Sequence, residues 1–227
     1  MIVPVGRALR GWRQLRAIVL ACALLCAWAG TALAQSTPIS RAVRITGNIN
    51  FVTTGGSLRT QPNTGNACTV GASSSGALTG IPAGTTVVAA FLYWGGSATT
   101  TGGGAIVVDS SVTFNGATVT ASRSFTGRYD NGGTLYPYFG AVADVTSRVT
   151  GNGTFTFRNL TVNTGSPHCD SQAVLAGWGL VVIYQGTNER LRAINVFDGL
   201  QFFRGSSLTL TPDGFRTPAT GIDGRVA

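Results

Sequence analysis

The chain is poor in the side chains that carry acid–base chemistry. It has one histidine and eight acids, none of its sixteen basic residues is lysine, and only 11% of its residues are charged. A lone His168 excludes a zinc site that needs two histidines, and any Ser-His-Asp site would have to use it as the sole base. Neither a G-x-S-x-G elbow nor an H-E-x-x-H helix motif occurs. His168 precedes a cysteine expected to be cross-linked, which favours a structural or exposed role. Paired carboxylates for glycoside hydrolysis stay open, because two acids distant in sequence can meet at about 5 to 10 Å. Asp144 and Asp198 are the candidates, at positions that turns use as readily. No catalytic group, metal or cofactor is expected.

Basic stripes are missing too, once the N-terminus is set aside. Arg7, Arg10, Arg13 and Arg16 precede an apolar run, Ala17 to Gly30, and "ALA" at 32 to 34 offers the small residues that a signal peptidase reads. Cleavage is expected between Ala34 and Gln35, leaving 35–227 as a single domain. The run is nearer 14 residues than the ~20 needed to span a bilayer, so membrane contact is expected only through this segment. Val19 to Cys22 makes a faint lipobox, with too few apolar residues before it. Four of the sixteen basic residues leave with the signal, so twelve arginines face eight acids, a net charge of +4. They are scattered, whereas nucleic-acid binding needs a stripe that neutralises several phosphates.

Cysteine is nearly absent from the retained chain. Cys22 and Cys26 belong to the signal, which leaves Cys68 and Cys169. Two such residues with no C-x-x-C spacing, in an exported chain, are expected to form a disulfide. Closing a loop of about 100 residues restricts the unfolded chain by at most about 4.7 kcal/mol.

What is abundant is glycine, 32 residues of it, with Thr, Ser, Ala and Val, a mixture suited to strands and turns. "RAVRITGNINFV" (41–52) reads as a first strand or two, and 53–76 as a long polar loop tethered by Cys68. "TTVVAAFLYW" (85–94) is apolar at odd and even positions, as a strand covered on both faces would be. "SVTFNGATVTA" (111–121) places Asn115-Gly116 between two Val/Thr-rich runs, a strong hairpin signal. "YFGAVADVTSRV" and "TGNGTFTFRNLTV" give two more strands, the second alternating Phe155 and Phe157 with Thr154, Thr156 and Arg158.

"GWGLVVIYQG" (177–186) allows three readings. As a helix, 173–184 would span about 18 Å, too short for a bilayer, and its glycines would cost about 1 kcal/mol each. A membrane-barrel strand should carry one polar face, and neither face here is polar. A buried central strand fits, followed by a hairpin back through "LRAINVFDG" (191–199). Trp94 and Trp178 are then core anchors, and Gly177 and Gly179 leave a bare face for a bulge or close approach. About eight such strands make an all-β, antiparallel, jelly-roll-like sandwich.

"VVAAFLYWGGS", "VTFNGATVTA", "YFGAVADVTSRVTGNGTFTF", "AVLAGWGLVVIYQ" and "LRAINVFDGL", in that order, resemble a family of uncharacterised exported bacterial β-sandwich domains found near the N-terminus of large surface proteins. The likeness covers roughly Ala42 to Gly221. It implies a fold and an address, at the cell surface or outside the cell, and no catalytic role. Ending at Ala227, where relatives continue, suggests a fragment, a truncated gene or a minimal member.

Separately, "ADVTSRVTGNGTFTF" is similar to a pattern in jelly-roll domains that accompany glycosidases. That likeness implies a sugar-binding face with exposed aromatics, and Tyr129, Tyr136, Tyr138 and Phe139 are its candidates; the alternative is that they pack in the core. Asp130-Asn131-Gly132-Gly133 offers oxygen ligands for Ca²⁺ or only a turn. The leading expectation is an exported, non-catalytic structural or interaction module, adhesive in one form, whose partners are surface glycans or other surface proteins. A carbohydrate-binding jelly roll is the alternative, and a glycoside hydrolase or other hydrolase comes last.

Overall fold

Two strands carry apolar residues on both faces, β3 (Thr86–Ser97) and β9 (Ala176–Gln185), and the rest of the fold covers them. They lie side by side, antiparallel, with Leu92 opposite Leu180 and Trp94 opposite Trp178. The computed structural model describes residues 36–203, 207–211, 213, 219–220 and 224–226. The expected signal segment and the Ala34/Gln35 cut lie outside the described residues.

The described chain is all β: ten strands and one short 3₁₀ turn at Thr146–Arg148. β1 (Thr37–Ser57), β6 (Arg123–Asn131), β7 (Thr134–Asp144) and β10 (Leu191–Leu200) join β3 and β9 in a six-stranded antiparallel sheet of order β10-β1-β9-β3-β7-β6. β2 (Ser73–Leu78), β8 (Gly153–Arg158), β4 (Ser111–Phe114) and β5 (Ala117–Thr120) form a four-stranded sheet of order β2-β8-β4-β5. Between the sheets lies the larger core. Leu92, Trp94, Trp178, Leu180 and Val182 meet Leu78, Val112, Phe114, Phe155 and Phe157, with Phe114 stacked on Phe155 and Phe157 on Trp178. Alternation in "GTFTFR" and "SVTF" makes this possible, since each strand sends only its apolar half inward.

The opposite faces of β3 and β9 are covered by a second, smaller core. Ala89, Phe91, Val142 and Ile183 pack with Ile49, and Val43 and Ile45 of β1 and Ile194 and Val196 of β10 close over them. The 21-residue β1 provides that cover by changing partners along its length. Its second half pairs with β9 and its first half with β10; Gln185 stands opposite Ile49 and Leu191 opposite Asn48. The expected β9–β10 hairpin is therefore corrected: β10 pairs with β1, not with β9. At the changeover Glu189 accepts hydrogen bonds from Asn50 Nδ2 (3.1 Å) and Arg192 Nη1 (3.0 Å), and Arg192 also donates to the Ile49 carbonyl. The first strand or two expected in 41–52 is one strand, longer at both ends, and the long loop expected at 53–76 shrinks, because β1 runs on to Ser57 and β2 starts at Ser73.

The ends of the large sheet approach each other. Thr37 Oγ1 of β1 donates to the Thr126 carbonyl of β6, and Arg123 of β6 binds Asp198 of β10 at 2.6 Å. The Asn115-Gly116 hairpin forms as expected, with both residues at positive φ (48° and 78°) as a tight β4–β5 turn requires.

Glycine crowding falls elsewhere than expected. A methyl group on Gly179 would find its nearest neighbour at 3.9 Å and on Gly177 at 3.4 Å. On Gly55, which faces Gly179, it would run into the Trp178 carbonyl, and on Gly95, which faces Gly177, it would lie 2.5 Å from the Phe139 carbonyl. The close approach thus concerns the partner strands, not the GWG segment itself.

Candidate functional site

Loop 159–175, between β8 and β9, decides what the aromatic candidates can do. Asn163 anchors it: the backbone exchanges hydrogen bonds with buried Ser97, whose Oγ donates to the Asn163 carbonyl at 2.8 Å. Asn163 Oδ1 accepts from the Gly165 amide (2.9 Å), and Nδ2 donates to the Ser166 carbonyl and to His168 Nδ1 (3.1 Å). "NTG" is Asx-turn chemistry, and this was the signal in the sequence for a structured loop.

His168 is completely buried. Its Nε2 lies 2.9 Å from the Pro137 carbonyl, an obligate acceptor, so that nitrogen carries the proton and Nδ1 accepts from Asn163. The ring meets Tyr136 and Tyr138 edge-on, with centroids 5.6 and 5.0 Å apart. Burial holds the imidazole below its ordinary range, only partly opposed by the bond to Pro137. This is a fully bonded neutral histidine packed under a loop.

Tyr129, Tyr136 and Tyr138 share one face of the β6–β7 hairpin, where Tyr129 stands opposite Tyr136. Phe139 points to the other face, into the core between the sheets. The expected exposed platform is therefore corrected. Tyr136, Tyr138 and Phe139 are all buried. The Tyr136 hydroxyl bonds Ser171 Oγ at 2.7 Å and that of Tyr138 donates to the Ala173 carbonyl at 2.9 Å, so the loop occupies the polar ends of both rings. Phe202, just past β10, lies against Tyr129 and Tyr138, with centroids 6.4 and 5.5 Å away. Burial pushes the Tyr138 phenol up, and its tyrosine neighbours add to the effect.

The expected disulfide is present. Cys68 and Cys169 are bonded, with Cα atoms 5.1 Å apart across 101 residues of chain. It ties the polar loop after β1 to the residue that follows His168.

Most acids elsewhere serve the backbone or an arginine; Asp170, next to the disulfide, is exposed. Asp109 accepts from the amides of Ser111 and Thr161. Asp130 accepts from the Gly133 amide at 2.8 Å, which makes its segment the β6–β7 turn. Asp144 accepts from the amide and hydroxyl of Thr146, a turn role as anticipated. Asp198, left open between a turn and an acid–base role, takes neither: it lies within β10, largely buried, against Arg123. Beside that pair the Tyr93 phenol is pushed up to about 12, by burial first and then by the negative charge of Asp198, although its hydroxyl makes no hydrogen bond of ordinary geometry. Among the described residues no three of His, Cys, Asp and Glu gather as a metal site would require.

Core anchoring by the two tryptophans is direct: Trp94 and Trp178 are 3% and 6% exposed, and Trp94 Nε1 donates to the Asp109 carbonyl at 2.8 Å.

A family model matches residues 33–217 of this chain. The chain belongs to DUF3344, a family described as protein of unknown function. The DUF3344 match spans all ten strands, the disulfide and the buried aromatic cluster. No curated protein matches the chain, and no solved structure does.

Proposed function

We propose that this DUF3344 chain is an exported bacterial module, acting in the periplasm, at the cell surface or outside the cell, that works by structure and binding and not by catalysis. The observation that carries the reading is the Cys68–Cys169 bond. Such a cross-link persists in oxidising compartments and is rare in a reducing cytosol. The basic and apolar N-terminal segment agrees with it, and the family match begins at residue 33, beside the expected cut.

Side-chain chemistry supports the non-catalytic half. General acid–base work needs groups free to exchange protons with a bound substrate, yet His168 is sealed and bonded at both nitrogens. Six of the seven acids among the described residues, Asp109, Asp130, Asp144, Glu189, Asp198 and Asp213, are engaged with backbone amides or with arginine. The seventh, Asp170, is exposed, with no second unengaged acid among the described residues to pair with it. Placement near the N-terminus of a larger surface protein is the setting in which such a module would present itself to surface glycans or other surface proteins.

Fractionation of bacteria expressing the full coding sequence tests this reading. The chain is expected in the periplasmic, surface or medium fraction, shortened at its N-terminus. Recovery at full length in the cytosol would overturn it.

A further inference from the structure

The four-stranded sheet turns a hydroxyl-rich face to solvent. Its inner side is apolar, while its outer side presents Ser73 and Ser75 from β2 and Thr154, Thr156 and Arg158 from β8. β4 and β5 continue the pattern with Thr113 opposite Thr118 and Ser111 opposite Thr120. Register sets the hydroxyls across from each other: Ser75 faces Thr156, their oxygens 3.2 Å apart, and Arg158 stands between Ser73 and Thr113. No acid and no aromatic occurs among these outward residues, and Ala77 is their one apolar side chain. The Arg158 side chain is exposed and makes no hydrogen bond or ion pair among the described residues.

The composition selects among partners. A protein interface centres on buried aromatic or large apolar anchors, and this face has none. Small ligands take concave, mostly apolar pockets, and this hydroxyl-lined sheet face is not apolar. Ser and Thr hydroxyls both donate and accept, which matches a ligand whose surface is itself made of hydroxyls. The single unpaired guanidinium, with no acid near it on the face, calls for an anion, and a planar carboxylate fits its fork with two parallel hydrogen bonds.

We infer that the outer face of β2-β8-β4-β5 binds an acidic, uronate-bearing polysaccharide, with the hydroxyls of Ser75, Thr154 and Thr156 meeting sugar hydroxyls and Arg158 holding a carboxylate. This rests on the reading of the chain as an exported binding module and gives that module a surface and a ligand class. It also moves sugar recognition away from Tyr136 and Tyr138.

Affinity electrophoresis of the purified, oxidised chain in gels containing polygalacturonate, its fully methyl-esterified form or dextran sulfate tests the assignment. Polygalacturonate is expected to retard the protein, and the neutral ester to retard it far less. Arg158→Gln should weaken retardation about tenfold, Arg158→Lys less, and paired Thr154→Val and Thr156→Val should weaken it while leaving the charge intact. Arg44→Gln, which removes an exposed arginine on β1, should have no effect. Equal loss in Arg44→Gln and Arg158→Gln, retention independent of Arg158, stronger retardation by dextran sulfate than by polygalacturonate, or no retardation at all would overturn the proposal. Failure here with normal export removes only this ligand; binding by a chain that stays cytosolic removes only the export reading.

Discussion

Trp94 and Trp178 stand opposite each other on neighbouring strands, and Trp178 lies flat on Phe157 of the other sheet, ring centroids 5.7 Å apart and planes 7° apart. Its edge meets Phe114 at 6.2 Å. One side chain thus couples the two sheets, so Trp178→Ala is expected to cost about 3 to 5 kcal/mol. The indole N–H has no hydrogen-bond partner where it is buried, so Trp178→Phe should cost clearly less than Trp178→Ala. Urea unfolding of the two variants checks the order; equal losses would mean that Trp178 does not bridge the sheets.

The glycine assignment makes an opposed pair. Gly55→Ala drives a methyl group into the backbone of β9 at Trp178 and Gly179, and overpacking of this kind costs about 1 to 3 kcal/mol. Gly179→Ala, with nothing closer than 3.9 Å, should change stability by less than about 1 kcal/mol. Denaturation midpoints in the reverse order would refute the packing of β1 on β9.

Opening the cross-link should loosen the loops before the sheets. Cys68→Ser removes a closure over 101 residues and is expected to lower stability by about 2 to 4 kcal/mol. Hydrogen exchange should quicken most in the loop after Ser57 and around His168, while β3 and β9 stay protected. Uniform quickening would show that the bond supports the whole fold instead.

His168 gives a pH dependence with a definite sign. Its folded pKa lies below the unfolded value of about 6.5, so the unfolded chain takes up a proton first. Stability from this group is complete above about pH 6.5 and falls as pH drops toward the folded value, by at most about 1.4 kcal/mol per pH unit. Protonation would also set Nδ1–H against the Asn163 amide, whose oxygen is already engaged with Gly165. His168→Gln should flatten the urea midpoint between pH 7 and pH 5; an unchanged slope in the variant would assign the dependence to other groups.

Features set by adjacent residues were legible in the sequence. Asn115-Gly116 between two Val/Thr-rich runs is a strong hairpin signal, two leftover cysteines had only each other, and the two-faced apolarity of β3 and β9 required cover on both sides. What the cover is made of was hidden, because the alternation in "LRAINVFDG" is satisfied at any sheet edge and does not name β1 as the partner. The tyrosines were left open between platform and core for a similar reason. A tyrosine ring suits a platform or a core equally, and the choice fell to Ser171, Ala173 and Phe202, which come from loops far along the chain. The hydroxyl face was seen only in part: Thr154 and Thr156 alternate plainly, but "SSSGAL" reads as a loop until its pairing with β8 is known.

The most direct test of the account is the intact mass, without reduction, of the chain recovered from outside the cytosol of cells expressing the full coding sequence. The account predicts a product that begins at Gln35 and in which Cys68 and Cys169 are joined, two hydrogens lighter than its reduced form. A product retaining the first 34 residues with both thiols free would contradict it.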